Sequence, residues 1–375
     1  MSNPKPSSEE WYTIGNADDL FTPALILFPD RIEQNIRTMI SIAGGADRLR
    51  PHVKTHKTAE VIGLQMKHGI TKFKCATIAE AEMCAISGAG DILLASQPVG
   101  PGIERFFTLI QAYPECHISC IADNAGNIEH LSAMAVRKNI KASIWLDINN
   151  GMNRTGVIPG KKATDLYRLI SKLPMLEAEG VHVYDGHIHE SDPGIRKRIC
   201  DESFRPVEIM INDLVKEGFP PVKIVAGGSP TFPLHARRER TELSPGTTLL
   251  WDHVYSSSFR DMHFLIAAVL IMRVISKPSD GFVCLDLGHK AVASEMPQPR
   301  VRIMGLKSYE ITGHNEEHMV IRSPESLKYS TGDLFYAIPH HICPTVDRYD
   351  SVYVARAGKV TEEWKVAARR RKITI

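Results

Sequence analysis

Between residue 24 and about residue 230, short runs of β-type residues alternate with longer segments whose apolar positions recur at helical spacing. No other feature restricts the fold as much. The runs Ala24–Pro29, Leu49–Lys54, Lys72–Thr77, Asp91–Gln97, His117–Asp123, Ala142–Asn149, Glu179–Asp185 and Lys223–Gly227 read as strands. Helices are expected over Arg31–Ala43, Thr58–Lys67, Ile78–Ser87, Gly102–Ala112, Ala125–Lys138, Lys162–Lys172 and Gly194–Glu217, the third of them stopping before a glycine. Such alternation implies right-handed βαβ units and a parallel sheet. Eight repeats close naturally as an α/β fold of the (β/α)8 TIM-barrel type, in which reactive side chains come from the C-terminal ends of the strands. Beyond about residue 245 the pattern turns β-rich without long helices, over Thr247–Asp252, Phe264–Ser276, Gly281–Leu287, Val301–Lys307, His318–Ile321 and Ser351–Arg356. A separate, smaller antiparallel β domain is expected there.

The bulk properties exclude several function classes. With 45 basic and 43 acidic residues the chain has no field that gathers nucleic acid. The polar segment Met1–Glu10 has no apolar core of a secretory signal, and the apolar run Phe264–Met272 is far shorter than the roughly 20 residues that span a bilayer. A cytoplasmic protein without membrane contact is expected. Seven scattered cysteines, an odd number without CxxC pairs, suit reduced thiols.

The strand-end rule selects candidate residues. Arg50-Pro51-His52-Val53-Lys54-Thr55-His56-Lys57 places a lysine at the end of the second expected strand. Lysine is mostly exposed unless paired, and a desolvated lysine loses its proton readily, as an amine must to form a Schiff base. Lys54 is the candidate chemical centre; a solvated basic loop is the alternative. Met152-Asn153-Arg154-Thr155-Gly156 offers an arginine able to hold a phenolate or carboxylate, or else a surface salt bridge. Gly227-Gly228-Ser229 directly follows the eighth expected strand and, with Ser244-Pro245-Gly246-Thr247, offers an anion cradle or simply tight turns. Tyr184 and the Asp185–His189 segment lie on the same rim. In Pro339-His340-His341-Ile342-Cys343-Pro344, an extended chain would point His341 and Cys343 to one side, an imidazole and a thiolate suited to zinc.

Taken together, the lysine motif, Met152–Gly156, Gly227–Ser229, Ser244–Thr247 and His341-Ile342-Cys343 resemble the D-threonine aldolase and D-serine dehydratase family, fold-type III pyridoxal phosphate enzymes related to alanine racemase. The resemblance covers nearly the whole chain. It implies a cofactor-carrying barrel over residues 22–243, a β domain formed from residues 1–21 and 244–375, and a homodimer. It also implies pyridoxal 5'-phosphate on Lys54, with His52, Arg154, Tyr184, Gly228, Ser229, Gly246 and Thr247 around it, and a divalent metal, zinc or manganese, on His341 and Cys343. Where racemases carry the arginine that pairs with the pyridine nitrogen, this chain has Ser244, and Tyr184 is the substitute partner at hand.

That resemblance implies a lyase acting on D-3-hydroxy amino acids, with the cofactor as electron sink and the metal as Lewis acid. Retro-aldol cleavage to glycine and an aldehyde is the expected outcome, with His189 as a rim base that takes the hydroxyl proton. Loss of water and ammonia, as from D-serine or D-3-hydroxyaspartate, is the alternative. Aldolases of the group look to have aspartate where Cys343 stands, whereas Pro344-Thr345-Val346 looks more like the aldolases. A racemase is a third reading. A non-catalytic pyridoxal phosphate carrier is a reading of another class, against which the long segment after Ser244 argues.

Overall fold

The structure, a computed structural model, describes residues 11–375. The chain folds as two compact units: one comprises residues 36–54, 59–246 and 368–375, the other residues 11–35, 55–58 and 247–367. Strand β1 (Ala24–Leu27) lies in the second unit. The first holds β2 (Lys72–Cys75), β3 (Asp91–Leu94), β4 (His117–Ala122), β5 (Ala142–Ile148), β6 (Leu176–Val183), β7 (Lys223–Ala226) and β8 (Thr241–Leu243). Along it run α1 (Pro29–Ala43, entering from the second unit), α2 (Ala59–Lys67), α3 (Ile78–Ile86), α4 (Pro101–Ala112), α5 (Ala125–Lys138), α6 (Lys161–Lys172), α7 (Pro193–Lys216) and the short α8 (Phe232–His235).

Strands β2 to β8 form one parallel sheet in sequential order. The segment Leu49–His52 joins its two edges: Leu49 bridges Leu243 of β8, and His52 bridges Lys74 of β2, both parallel. Main-chain bonds from Arg50 N to Leu243 O (2.8 Å) and from Lys74 N to Pro51 O (2.9 Å) run along the same segment. The ring therefore has eight staves, as the alternation predicts, but they are not the eight read from the sequence.

Ala24–Pro29 is not a stave. Its β1 portion is buried throughout and pairs antiparallel with β9 (Ala268–Ser276) and parallel with β15 (Ser351–Arg356) in the other unit. An all-apolar run of four suits any sheet covered on both faces, so composition does not say which sheet it joins. The missing stave is β8, whose three residues Thr-Glu-Leu are too few and too polar to register as a periodic run. In consequence Gly227–Ser229 follows the seventh stave and Ser244–Thr247 the eighth, the two positions from which barrels of this type most often bind phosphate.

Inside the ring, Leu93, Ile121, Trp145 and Val225 from β3, β4, β5 and β7 pack as a cluster. Each of the aliphatic members contributes about 1.5–3 kcal/mol by leaving water. Trp145 is 1 % exposed and donates its ring N–H to Ser119 Oγ at 3.1 Å. Arg50 is held by a bidentate pair with Asp91 (2.7 Å each) and by Glu242 (2.6 Å), which join the start of β3 to β8.

The second unit also contains α9 (His253–Ser258), β10 (Phe282–Leu285), β11 (Val301–Ile303), β12 (Glu310–His314), β13 (Met319–Arg322), β14 (Leu334–Pro339), α10 (Ile342–Val346) and β16 (Lys359–Lys365). Its nine-stranded sheet runs β12-β13-β10-β9-β1-β15-β16, with β14 pairing β9 and β11. Every pair is antiparallel except β1 with β15. Thr247–Asp252, expected as a strand, is instead a 3-10 turn (Thr247–Leu249) leading to α9, where Asp252 caps the helix by accepting from Tyr255 N at 2.9 Å. No helix among the described residues is long and apolar enough to cross a membrane.

Candidate active site

A cavity of about 430 Å³ opens inside the barrel unit, lined by His52, Lys54, Lys74, Gln97, Asp123, Asp147, Arg154, His182 and Tyr184 among others. Four of the residues singled out from sequence therefore meet here: His52, Lys54, Arg154 and Tyr184. Lys54 does not end a strand. It sits in a 3-10 turn (Val53–Thr55) just after the Leu49–His52 stave, and its main-chain N–H reaches His52 Nδ1 at 3.3 Å. Its ammonium lies 5.8 Å from the centroid of the Tyr184 ring, and the Arg154 guanidinium lies 4.9 Å from the same centroid.

The loop that carries Arg154 is built by its own short-range bonds. Asn149 Oδ1 accepts from Gly151 N (3.1 Å) and Asn153 N (3.0 Å), and Asp123 Oδ2 accepts from Gly156 N (3.0 Å). Gly156 is required there: its φ is +92°, and a Cβ would stand 2.7 Å from Asn149 N and Ile148 C. Gln97 donates to Asp123 Oδ1 at 3.1 Å, fixing the carboxylate that holds this loop.

Below Arg154, His182 Nδ1 lies 2.7 Å from Asp147 Oδ1. Burial pushes the Asp147 carboxyl up, but the hydrogen bond and charge of His182, with Thr155 and Arg154, hold it below its ordinary value. Burial, outweighing Asp147, pulls His182 down. His182 Nε2 is buried without a hydrogen-bond partner among the described residues.

The two glycine turns are stitched together. Gly246 N donates to Ser229 Oγ at 3.2 Å, and Gly228 N donates to Thr231 Oγ1 at 3.1 Å. Thr231 in turn donates to Asp185 Oδ1 at 2.7 Å, while His235 Nε2 lies 2.7 Å from Asp185 Oδ2 and Cys200 Sγ lies 3.5 Å from the same nitrogen. Asp185, Cys200 and His235 have the composition of a metal site. Hydrogen bonding already accounts for them: Arg238 approaches His235 Nδ1 at 3.4 Å, which makes that nitrogen the acceptor and puts the ring proton on Nε2, toward Asp185. His235 and Thr231 together outweigh burial and keep the Asp185 carboxyl low. Ser244 gives its hydroxyl to Arg50 O at 3.0 Å.

His189 is exposed and is not part of the cavity lining; its neighbour His187 is the ring that packs on Gly151. Thr247 belongs to the second unit, with its hydroxyl 3.6 Å from Cys343 Sγ.

In that second unit His341 and Cys343 do come together, though not as an extended pair. His341 is the N-cap of α10 and Cys343 lies in its first turn, and the start of the helix is fixed by Asp252 Oδ2, which accepts from Ile342 N at 3.1 Å. Burial would lower the His341 imidazole, but hydrogen bonds to Cys343 and Glu295 raise it to about 9. Glu295 Oε1 lies 2.5 Å from His341 Nδ1, and Thr55 Oγ1 lies 3.2 Å from Cys343 Sγ. Metal-binding histidines typically give their second ring nitrogen to a carboxylate in this manner. Glu295, Lys74, Asp147 and His182 went unnoticed in the sequence; a carboxylate inside the apolar run Ile144–Ile148 was the signal for Asp147.

Two family models match the chain: the alanine racemase N-terminal domain over residues 29–253 and a putative serine dehydratase domain over residues 267–355. The chain is 28 % identical to D-threonine aldolase of Arthrobacter sp. over 93 % of this chain and 92 % of that protein. It is 26 % identical to 3-hydroxy-D-aspartate aldolase of Paracoccus denitrificans (94 % and 92 % covered). Against D-threo-3-hydroxyaspartate dehydratase of Delftia sp. the identity is 23 % (92 % and 97 % covered). The crystal structure of D-threonine aldolase from Filomicrobium marinum superposes with a TM-score of 0.84 at 28 % identity, covering 94 % of this chain and 96 % of that one. The first of the two models spans more than half of the 375 residues, so the chain belongs to the family of the alanine racemase N-terminal domain.

Proposed function

We propose that this chain is a pyridoxal 5'-phosphate- and divalent-metal-dependent lyase that cleaves D-3-hydroxy amino acids by the D-threonine aldolase reaction, giving glycine and an aldehyde. That it is an enzyme of the lyase type follows from its near full-length relatives, which are aldolases and dehydratases. One observation carries the cofactor reading: the Lys54 amine and the Arg154 guanidinium share the Tyr184 ring in a cavity of the barrel unit whose two glycine turns are hydrogen-bonded to each other. That set suits a phosphorylated aromatic aldehyde, with an amine for the carbonyl, a guanidinium for the phenolate, and hydroxyls and side-chain-free backbone for the phosphate.

In this reading Lys54 Nζ holds the cofactor and is free to move a proton at Cα once substrate displaces it. Arg154 binds the phenolic oxygen. Ser229, Gly228, Gly246 and Thr247 hold the phosphate, His52 and Tyr184 border the ring, and the cofactor supplies an electron sink for the bond that breaks at Cα. His341 and Cys343 would hold zinc or manganese, with Glu295 orienting the imidazole, and the ion would supply a Lewis acid for the 3-hydroxyl. His189 is the base proposed for the hydroxyl proton. A homodimer accompanies the reading.

The dehydratase outcome is the second reading, favoured by the thiol of Cys343, where aldolases of the group look to have aspartate. Incubating the purified holoenzyme with D-threonine, D-serine and D-3-hydroxyaspartate separates the two, because the aldolase releases glycine and the dehydratase ammonia. Borohydride reduction followed by peptide mapping is expected to label Lys54. A label elsewhere, or none, sinks the cofactor assignment, and full activity after exhaustive chelation sinks the metal.

A further inference from the structure

Lys74, in β2, lines the same cavity and is only 2 % exposed. Lysines this deep are nearly always paired. Its ammonium nevertheless forms no hydrogen bond or ion pair with any described residue; its neighbour is the Tyr184 ring, whose centroid lies 5.4 Å from Lys74 Nζ and 5.8 Å from Lys54 Nζ. With Arg154 at 4.9 Å, three cationic side chains crowd one aromatic ring. Three like charges out of bulk water are costly, and the inexpensive relief is for one of the two amines to be neutral.

We propose that Lys74 is the proton acceptor for Lys54, so that the cavity works with a pair of lysines instead of a single one. The inference rests on Lys54 being the amine that condenses with an aldehyde. The ammonium of Lys54 passes one proton, directly or across one water, to the neutral amine of Lys74. The freed lone pair of Lys54 attacks the aldehyde carbon, and as water departs a C=N bond replaces C=O. No oxidant or reductant is needed, and the proton remains on Lys74 for return when the bond is hydrolysed.

The surroundings favour this division of labour. Burial is the largest influence on Lys74, Lys54 and Arg154 push in the same direction, and Asp185 and Asp147 oppose them, which leaves its pKa lowered to about 7. The remaining titratable groups that line the cavity are His52, Asp123, His182 and Tyr184.

The test follows capture of pyridoxal phosphate by the full-length cofactor-free chain between pH 6 and 10, with borohydride trapping to locate the label. In Lys74→Met, capture at pH 7 is expected to slow roughly a hundredfold and to recover as pH rises, because Lys54 must then release its proton to solvent. Lys74→Arg is expected to fail similarly, since a guanidinium keeps its charge but accepts no proton. Wild-type rates in Lys74→Met, or rescue by Lys74→Arg, would overturn the proposal while leaving the cofactor reading intact. Absence of any adduct in the wild type overturns both, and label on Lys74 in place of Lys54 reverses the roles and overturns it too. Should the variants fold poorly by circular dichroism, competitive acetylation of the wild-type apo chain decides: Lys74 is expected to react already near neutral pH, and a Lys74 that reacts only as an ordinary exposed lysine does refutes the idea.

Discussion

Thr231 Oγ1 donates to Asp185 Oδ1 at 2.7 Å and accepts from Gly228 N at 3.1 Å, so one buried hydroxyl ties the turn after β7 to the carboxylate that follows β6. Thr231→Val keeps the shape and removes both bonds. Losing a hydrogen bond to a buried charged acceptor costs about 1.5–3 kcal/mol. The variant is expected to unfold at lower urea and to release pyridoxal phosphate more readily; an unchanged midpoint would show that the network does not support the turn.

Gly227 has φ +81°, and a Cβ there would stand 3.0 Å from His235 Cδ2 and 3.2 Å from Phe232 N. Gly281, with φ +85°, has open space around it. Alanine at either position incurs the left-handed backbone penalty of roughly 1–2 kcal/mol. Only Gly227→Ala adds a steric clash, so it is expected to be the less stable of the two and the only one that loses cofactor, as absorbance titration of both variants would reveal.

Glu295 Oε1 lies 2.5 Å from His341 Nδ1, where a carboxylate orients the ring of a metal-binding imidazole. Removing such a carboxylate usually weakens metal binding by about 10- to 100-fold. Glu295→Gln is therefore expected to bind zinc more weakly in equilibrium dialysis while retaining the cofactor, whereas Cys343→Ala loses the metal and the activity together. Wild-type zinc affinity in Glu295→Gln would remove the carboxylate from the site.

Glu179 has a carboxyl lowered to about 2, first by its hydrogen bond to His117 and then, against the pull of burial, by Lys223. Because the folded chain holds this carboxylate charged where the unfolded chain would protonate it, the unfolded state binds more protons between about pH 4.3 and the folded value. The stability it contributes is complete above the unfolded value and disappears as pH falls toward about 2. Glu179→Gln is expected to lower the urea midpoint at pH 7 and to narrow its gap from wild type as pH falls below 4. Parallel stability curves across that range would contradict the assignment.

Some of this molecule was legible in order alone. Alternation gave a parallel barrel, because a strand buried on both faces and an amphipathic helix carry different periods. The lysine motif and the His341–Cys343 spacing offered candidate reactive groups, because amines, imidazoles and thiols are reactive wherever they fold. Register and partner choice were not legible: Ala24–Leu27 reads like a barrel strand but pairs with β9 and β15, and the three-residue β8 was missed. His341 and Cys343 come together at the start of a helix, not along an extended run.

The sequence alone determined which periodic elements form and which reactive groups the chain carries, since period and chemistry reside in consecutive residues. Only the tertiary structure decided that Lys54, Lys74 and Arg154 meet on Tyr184, and that Asp147 faces His182. Those encounters depend on how far apart in the chain the partners lie and on which stave sits beside which, and no local pattern encodes either.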